Sequence, residues 1–184
     1  MVQYARPDAD DTDGNWVNES GNNNNLYASV DEASADDDTT QINSIDEGSG
    51  DDACILRLSD VSTPAAGSAF IKYKALTQDN AGMGSGPSLK MELLQGSAVK
   101  ATFTNSAVET DGSTYTNYSH EISDVSGISD WTDLKIRLTM VSTSGFGDVM
   151  YVTQVFLETQ DAAGAAAPAA APDLPGAAFL MFID

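Results

Sequence analysis

Asp133-Leu-Lys-Ile-Arg-Leu-Thr-Met-Val141 is the stretch that settles the fold class. Leu134, Ile136, Leu138 and Met140 alternate with Lys135, Arg137 and Thr139. Side chains two residues apart share one face of an extended chain, so this is a strand with one apolar and one charged face. A helix would scatter the same residues around its circumference.

The alternation repeats on both sides. Ala53–Ser59 places Cys54, Leu56 and Leu58 together, and Ser68–Leu76 does so for Ala69, Ile71, Tyr73 and Ala75 against Lys72 and Lys74. Ser88–Gln95 groups Leu89, Met91 and Leu93, while Ala98–Thr104 groups Val99, Ala101 and Phe103. Thr114–Ile122 joins Tyr118, His120 and Ile122, and Met150–Glu158 closes the set. Leu26–Val30 and Thr40–Ile45 read as two further short strands. Turn clusters separate the runs: Gly48–Asp52, Gly82–Pro87, Asp111–Ser113 and Ser144–Asp148. The pattern predicts an all-β protein, an antiparallel β-sandwich of jelly-roll type, with a closed barrel as the alternative.

Charge divides the chain. It carries 28 acidic and 8 basic residues, a formal net charge of −20. Residues 1–52 are read as an acidic amino-terminal segment packing on the sandwich, and residues 53–160 as its core. Such a surface repels phosphate backbones and anionic bilayers, so neither nucleic acid nor membrane is an expected partner. The lone Cys54 sits in an apolar run and is expected to be a buried thiol. Met1-Val-Gln-Tyr-Ala5 lacks the basic start and apolar stretch of a signal peptide, which implies synthesis in a cytoplasm.

Chemistry is hard to find. His120 is the single histidine, and its neighbours Ser119 and Glu121 point to the opposite sheet face, so they form no local triad. Most carboxylates lie in turns, where nothing raises a pKa for acid catalysis. The chain is expected not to be an enzyme and to hold no cofactor. Asp8-Ala-Asp-Asp-Thr-Asp-Gly-Asn-Trp16 is the one stretch that invites a calcium test. With Gly14 at the sixth position of an EF-hand loop, Asp11 and Asp13 fall at three and five, but Ala9 and Ser20 occupy one and twelve. Asp11 and Asp13 remain candidate ligands for a looser Ca2+ site.

Beyond Gln160 the composition changes. Residues 161–175 are an Ala/Pro linker that favours an extended spacer. Residues 176–184 are an apolar stretch that needs cover, either as a last strand of the home sandwich or as a docking arm through Phe179, Leu180, Met181, Phe182 and Ile183.

Arg6-Pro-Asp-Ala-Asp10, Gly14-Asn-Trp16 and Leu26-Tyr-Ala-Ser-Val-Asp-Glu-Ala33, in that order, resemble the amino-terminal pattern of small β-sandwich structural proteins of tailed bacteriophages. Trp131–Leu138 and Val152–Glu158 resemble the last strand pair of jelly rolls of the carbohydrate-binding-module type. The resemblance implies a virion component, chiefly a head decoration or cement protein. Its implied partners are the major capsid protein, other virion proteins and further copies of itself, and it is made in the host cytoplasm. The alternatives are a tail- or fibre-associated protein, or a carbohydrate-binding adhesion module with Tyr115, Tyr118 and Trp131 stacking on sugar rings.

Overall fold

A computed structural model of the protein describes residues 2–35, 39–44, 52–64, 67–79, 87–108, 114–141 and 148–160. The linker and the apolar stretch with Phe179–Ile183 lie outside the described residues. In chain order the strands are β1 (Val2–Ala5), β2 (Pro7–Thr12), β3 (Val17–Asn18), β4 (Ile42–Asn43), β5 (Asp52–Leu58), β6 (Ala69–Asp79), β7 (Ser88–Gln95), β8 (Ala98–Asn105), β9 (Thr116–Ile122), β10 (Leu134–Val141) and β11 (Asp148–Gln160).

Two antiparallel sheets face each other, and the chain is a β-sandwich of jelly-roll type. One sheet runs β2-β5-β10-β7-β8; the other runs β3-β4-β11-β6-β9, with β1 also paired to β11. β10 is the centre of the first. Ile136 lies between Leu56 of β5 and Leu93 of β7, and Leu138 between Cys54 and Met91. All six side chains are fully buried. In the second sheet Ile71 of β6 lies between Leu157 of β11 and His120 of β9, and Tyr73 between Val155 and Tyr118. The two inner faces make one core, and burial of each large aliphatic side chain contributes about 1.5–3 kcal/mol.

The acidic first third is woven into both sheets. β1 and β2 go to opposite sheets, so the chain changes layer at Arg6. It changes back between β2 and β3, within Asp13-Gly-Asn-Trp16. There the Trp16 N–H donates to Asp13 O at 3.1 Å and closes a turn, and Gly14 takes φ +57° against the backbone of Ala53. Trp16 has no exposed surface, and its indole N–H donates to Asp52 O at 3.2 Å. Val2 is paired with Gln160 across β1 and β11, so the two ends of the described residues lie side by side.

Two expectations are corrected. Leu26–Val30 is not a strand; Tyr27–Ser29 form a 3-10 turn. The Asp10 carboxylate accepts hydrogen bonds from the Leu26 and Tyr27 N–H groups at 3.0 and 2.8 Å, so these amides have a side-chain partner in place of a neighbouring strand. Val99 does not join Ala101 and Phe103 on the inner face. A register shift at Leu93/Leu94 inverts the alternation at that end of β8 and leaves Val99 47% exposed.

Candidate functional site

The outer face of the β1-containing sheet carries the most developed recognition surface among the described residues. Period two sends Phe70, Lys72 and Lys74 outward from β6, while Ile71, Tyr73 and Ala75 fill the core. β11 contributes Gln154, Phe156 and Glu158 to the same outer face, after a register shift between Val152 and Gln154 resets its alternation. β9 adds Asn117 and Ser119. The cross-strand rows are therefore Phe156–Lys72–Ser119 and Gln154–Lys74–Asn117. Lys72, Tyr73, Asn117, Tyr118, Ser119, Gln154 and Phe156 line a groove of about 310 Å³.

The Phe156 ring is fixed from one side. The Arg6 guanidinium stands 5.0 Å from its centroid and 5.5 Å from that of Tyr4, whose ring meets Phe156 edge-on at 5.7 Å. Arg6 itself donates to Glu32 O, an oxygen that also accepts the Gln154 side-chain amide at 2.7 Å. These contacts order the Phe156 ring and the Gln154 amide before any ligand arrives. Lys72 pairs with Glu158 at 2.8 Å at one end of the groove. Among the described residues no carboxylate lines the groove itself, in a chain with 28 acids.

Beneath it, at the β8–β9 opening between the sheets, lies a stack of rings. Tyr73 stacks on Tyr118 at 5.0 Å and on His120 at 5.7 Å, and His120 stacks on Phe103 at 5.2 Å. The Tyr73 hydroxyl accepts from the Asn105 amide at 2.8 Å and hydrogen-bonds His120 Nε2 at 3.2 Å. Burial raises the Tyr73 pKa and lowers that of His120. A folded-state pKa below the usual histidine value of about 6.5 means that the unfolded chain takes up the proton first. The contribution is full above that value and is lost as pH falls through the lower folded pKa. Thermal melts should therefore show wild type losing stability relative to His120→Gln as pH is lowered from about 7 to about 5. A constant difference between the two proteins across that range would remove His120 from the acid response.

A second cleft, of about 420 Å³, opens at one end of the sandwich between Thr63, Pro64, Ser123, Asp124, Ile128 and Trp131. Trp131 is 4% exposed, so its ring belongs to the core and offers no face for stacking. Tyr118 is half-buried and stacked on Tyr73, and Tyr115 hydrogen-bonds Gln41. Of the three sugar-stacking candidates, Tyr118 lines the groove and Trp131 is buried in the core. Asp11 forms an ion pair with Lys135 at 2.8 Å, and the Asp13 carbonyl closes the Trp16 turn. No group of three or more His, Cys, Asp or Glu side chains is placed to hold a metal ion among the described residues. Cys54 is fully buried, and burial raises its pKa well above the usual range, so the thiol stays protonated.

No protein-family model matches the chain, and no curated protein does. Solved structures do. The Stig cyclase Fisc from Fischerella sp. TAU superposes with a TM-score of 0.53 at 15% identity, over 88% of this chain and all of that one. The apo form of a cyclase from Fischerella sp. gives 0.50 at 16%, over 85% and 89%. The xylan-binding module CBM15 gives 0.46 at 12%, over 88% and 99%. The two cyclases share the fold of this chain. Four residues of the amino-terminal resemblance have structural work here: Arg6 holds Phe156, Asp10 caps the 3-10 turn, Gly14 makes the layer change and Trp16 fills the core.

Proposed function

We propose that this chain is a carbohydrate-binding module whose ligand lies in the groove over Phe156. The observation that supports this reading is the lining: the fixed Phe156 ring, with Tyr73 and Tyr118, flanked by Asn117, Ser119, Gln154 and Lys72, and no carboxylate among the described lining residues. Sugars combine an apolar face of C–H groups with a rim of hydroxyls. A ring to stack on, together with amide and hydroxyl partners that both donate and accept, matches that combination. An enzyme acting on glycans would add a pair of carboxylates facing the substrate. This groove has none, so binding without turnover is the role it fits.

The test is a panel of soluble neutral polysaccharides, including xylan, galactan and β-glucan, measured by affinity electrophoresis and calorimetry. Wild type should bind at least one of them. Phe156→Ala should weaken that binding at least about tenfold, because stacked ring contact is a main source of affinity. Its melting temperature should move only a few degrees, since Phe156 is half-buried on an outer face. Failure of every neutral glycan to bind, or equal affinity in Phe156→Ala, would sink the proposal.

A further inference from the structure

We infer that the opposite outer face of the sandwich, on the β2-β5-β10-β7-β8 sheet, is a second binding site, for polysaccharides bearing carboxylate or sulfate groups. Half of the eight basic residues of this acidic chain meet there: Arg57 on β5, Lys135 and Arg137 on β10, and Lys90 on β7. Arg57 and Lys135 are directly opposed across the ladder. Arg137 follows two residues along β10, opposite Glu92, and Lys90 lies two residues from Glu92 on β7. Steps of this kind separate the cations by about 5–8 Å along a diagonal strip.

The strip is only half neutralised. Glu92, buried beneath it, accepts from Arg137 at 2.8 Å and pairs with Lys90 at 3.2 Å. Burial works against the Glu92 carboxylate, but these two cations outweigh it and lower its pKa. Asp11 holds Lys135. Arg57 is exposed and makes no ion pair among the described residues. Four cations thus stand against two paired carboxylates. Thr102 and Thr104 on the edge strand β8 extend this face with exposed hydroxyls.

Charge complementarity selects the ligand. An anionic group is needed opposite Arg57, since the other three cations of the strip are already paired, and the remaining surface repels any dense polyanion. Nucleic acid, with a charge on every phosphate and bases that need stacking partners, suits this face poorly. A glycan with spaced anionic groups meets the strip with less repulsion, and its hydroxyls match the threonines. Each copy of this chain carries a net charge of −20, so a second copy would approach against its own field. The inference stands on residues independent of the Phe156 groove.

Binding to sparsely carboxymethylated dextran, sparsely sulfated dextran and uncharged dextran tests it, at low salt and again after adding salt. Wild type should bind at least one anionic polymer more tightly than dextran, with affinity falling as salt rises. Arg57→Glu should lose about tenfold or more of that affinity, and Arg57→Lys should retain most of it. Phe156→Ala should leave anionic binding intact, while Arg57→Glu should leave neutral-glycan binding intact, so each site fails or survives on its own. Sulfate-only or carboxylate-only binding would both support the site and name its group. Absence of anionic binding at low salt, or undiminished binding by Arg57→Glu, would overturn it. So would a wild-type dimer in light scattering that Arg57→Glu dissociates, which would give this face to a second copy.

Discussion

Gly14→Ala is expected to lower unfolding stability by about 2–5 kcal/mol, and a domain of ordinary stability would stand close to unfolding. Two costs combine. The residue takes φ +57°, a left-handed conformation that costs an L side chain about 1–2 kcal/mol. A Cβ placed there would lie 1.9 Å from Ala53 O and 2.9 Å from its carbonyl carbon. Those are backbone atoms of a paired strand, so relief requires β5 itself to move, an overpacking cost of about 1–3 kcal/mol. Gly21 supplies the control. It has φ +76° with nothing within 4 Å of a built Cβ, so Gly21→Ala meets the conformational cost alone. Denaturant midpoints should separate the two variants clearly. Equal losses would show that the contact with Ala53 does not matter.

Trp16→Ala should cost about 3–5 kcal/mol, the range for deleting a large buried aromatic side chain. The ring is fully buried where the chain passes between layers, and its N–H satisfies Asp52 O at the start of β5. Trp16→Phe keeps much of the volume but loses that donor, and should cost less, on the order of 1–3 kcal/mol. The order of the two variants carries the argument. A Phe variant as damaged as the Ala variant would mean that the hydrogen bond, and not the packing, anchors the segment.

Gly14 and Trp16 also show how far the sequence could be read. The alternation around Leu134–Met140 gave the sandwich directly, because burial of one face forces period two. The acidic stretch from Asp8 to Asp13 was harder, since its composition says turn while its residues form most of β2. A strand is set by the neighbour it pairs with, and β5 lies more than forty residues away in sequence. The same distance hides the groove. Phe156 sits at an outward position beside inward Val155 and Leu157, a readable oddity, but its partners Lys72 and Ser119 come from other strands. The register shift after Val152 further disguises the phase of β11. Trp131, conspicuous in sequence as a ring beside a charged strand, is spent on the core. The basic strip was present in the Lys135/Arg137 alternation all along; only the sheet order could place Arg57 and Lys90 beside it.

The pairing of Val2 with Gln160 has an architectural consequence. Val2 and Gln160 lie about one strand spacing apart. Residues 2–160 thus form a unit with closely set ends, which can be spliced into a surface loop of a larger protein without prying that loop open and leaves the outer faces of both sheets uncovered. The fold is a cassette: its handle is the β1–β11 seam, and its two outer sheet faces look away from each other.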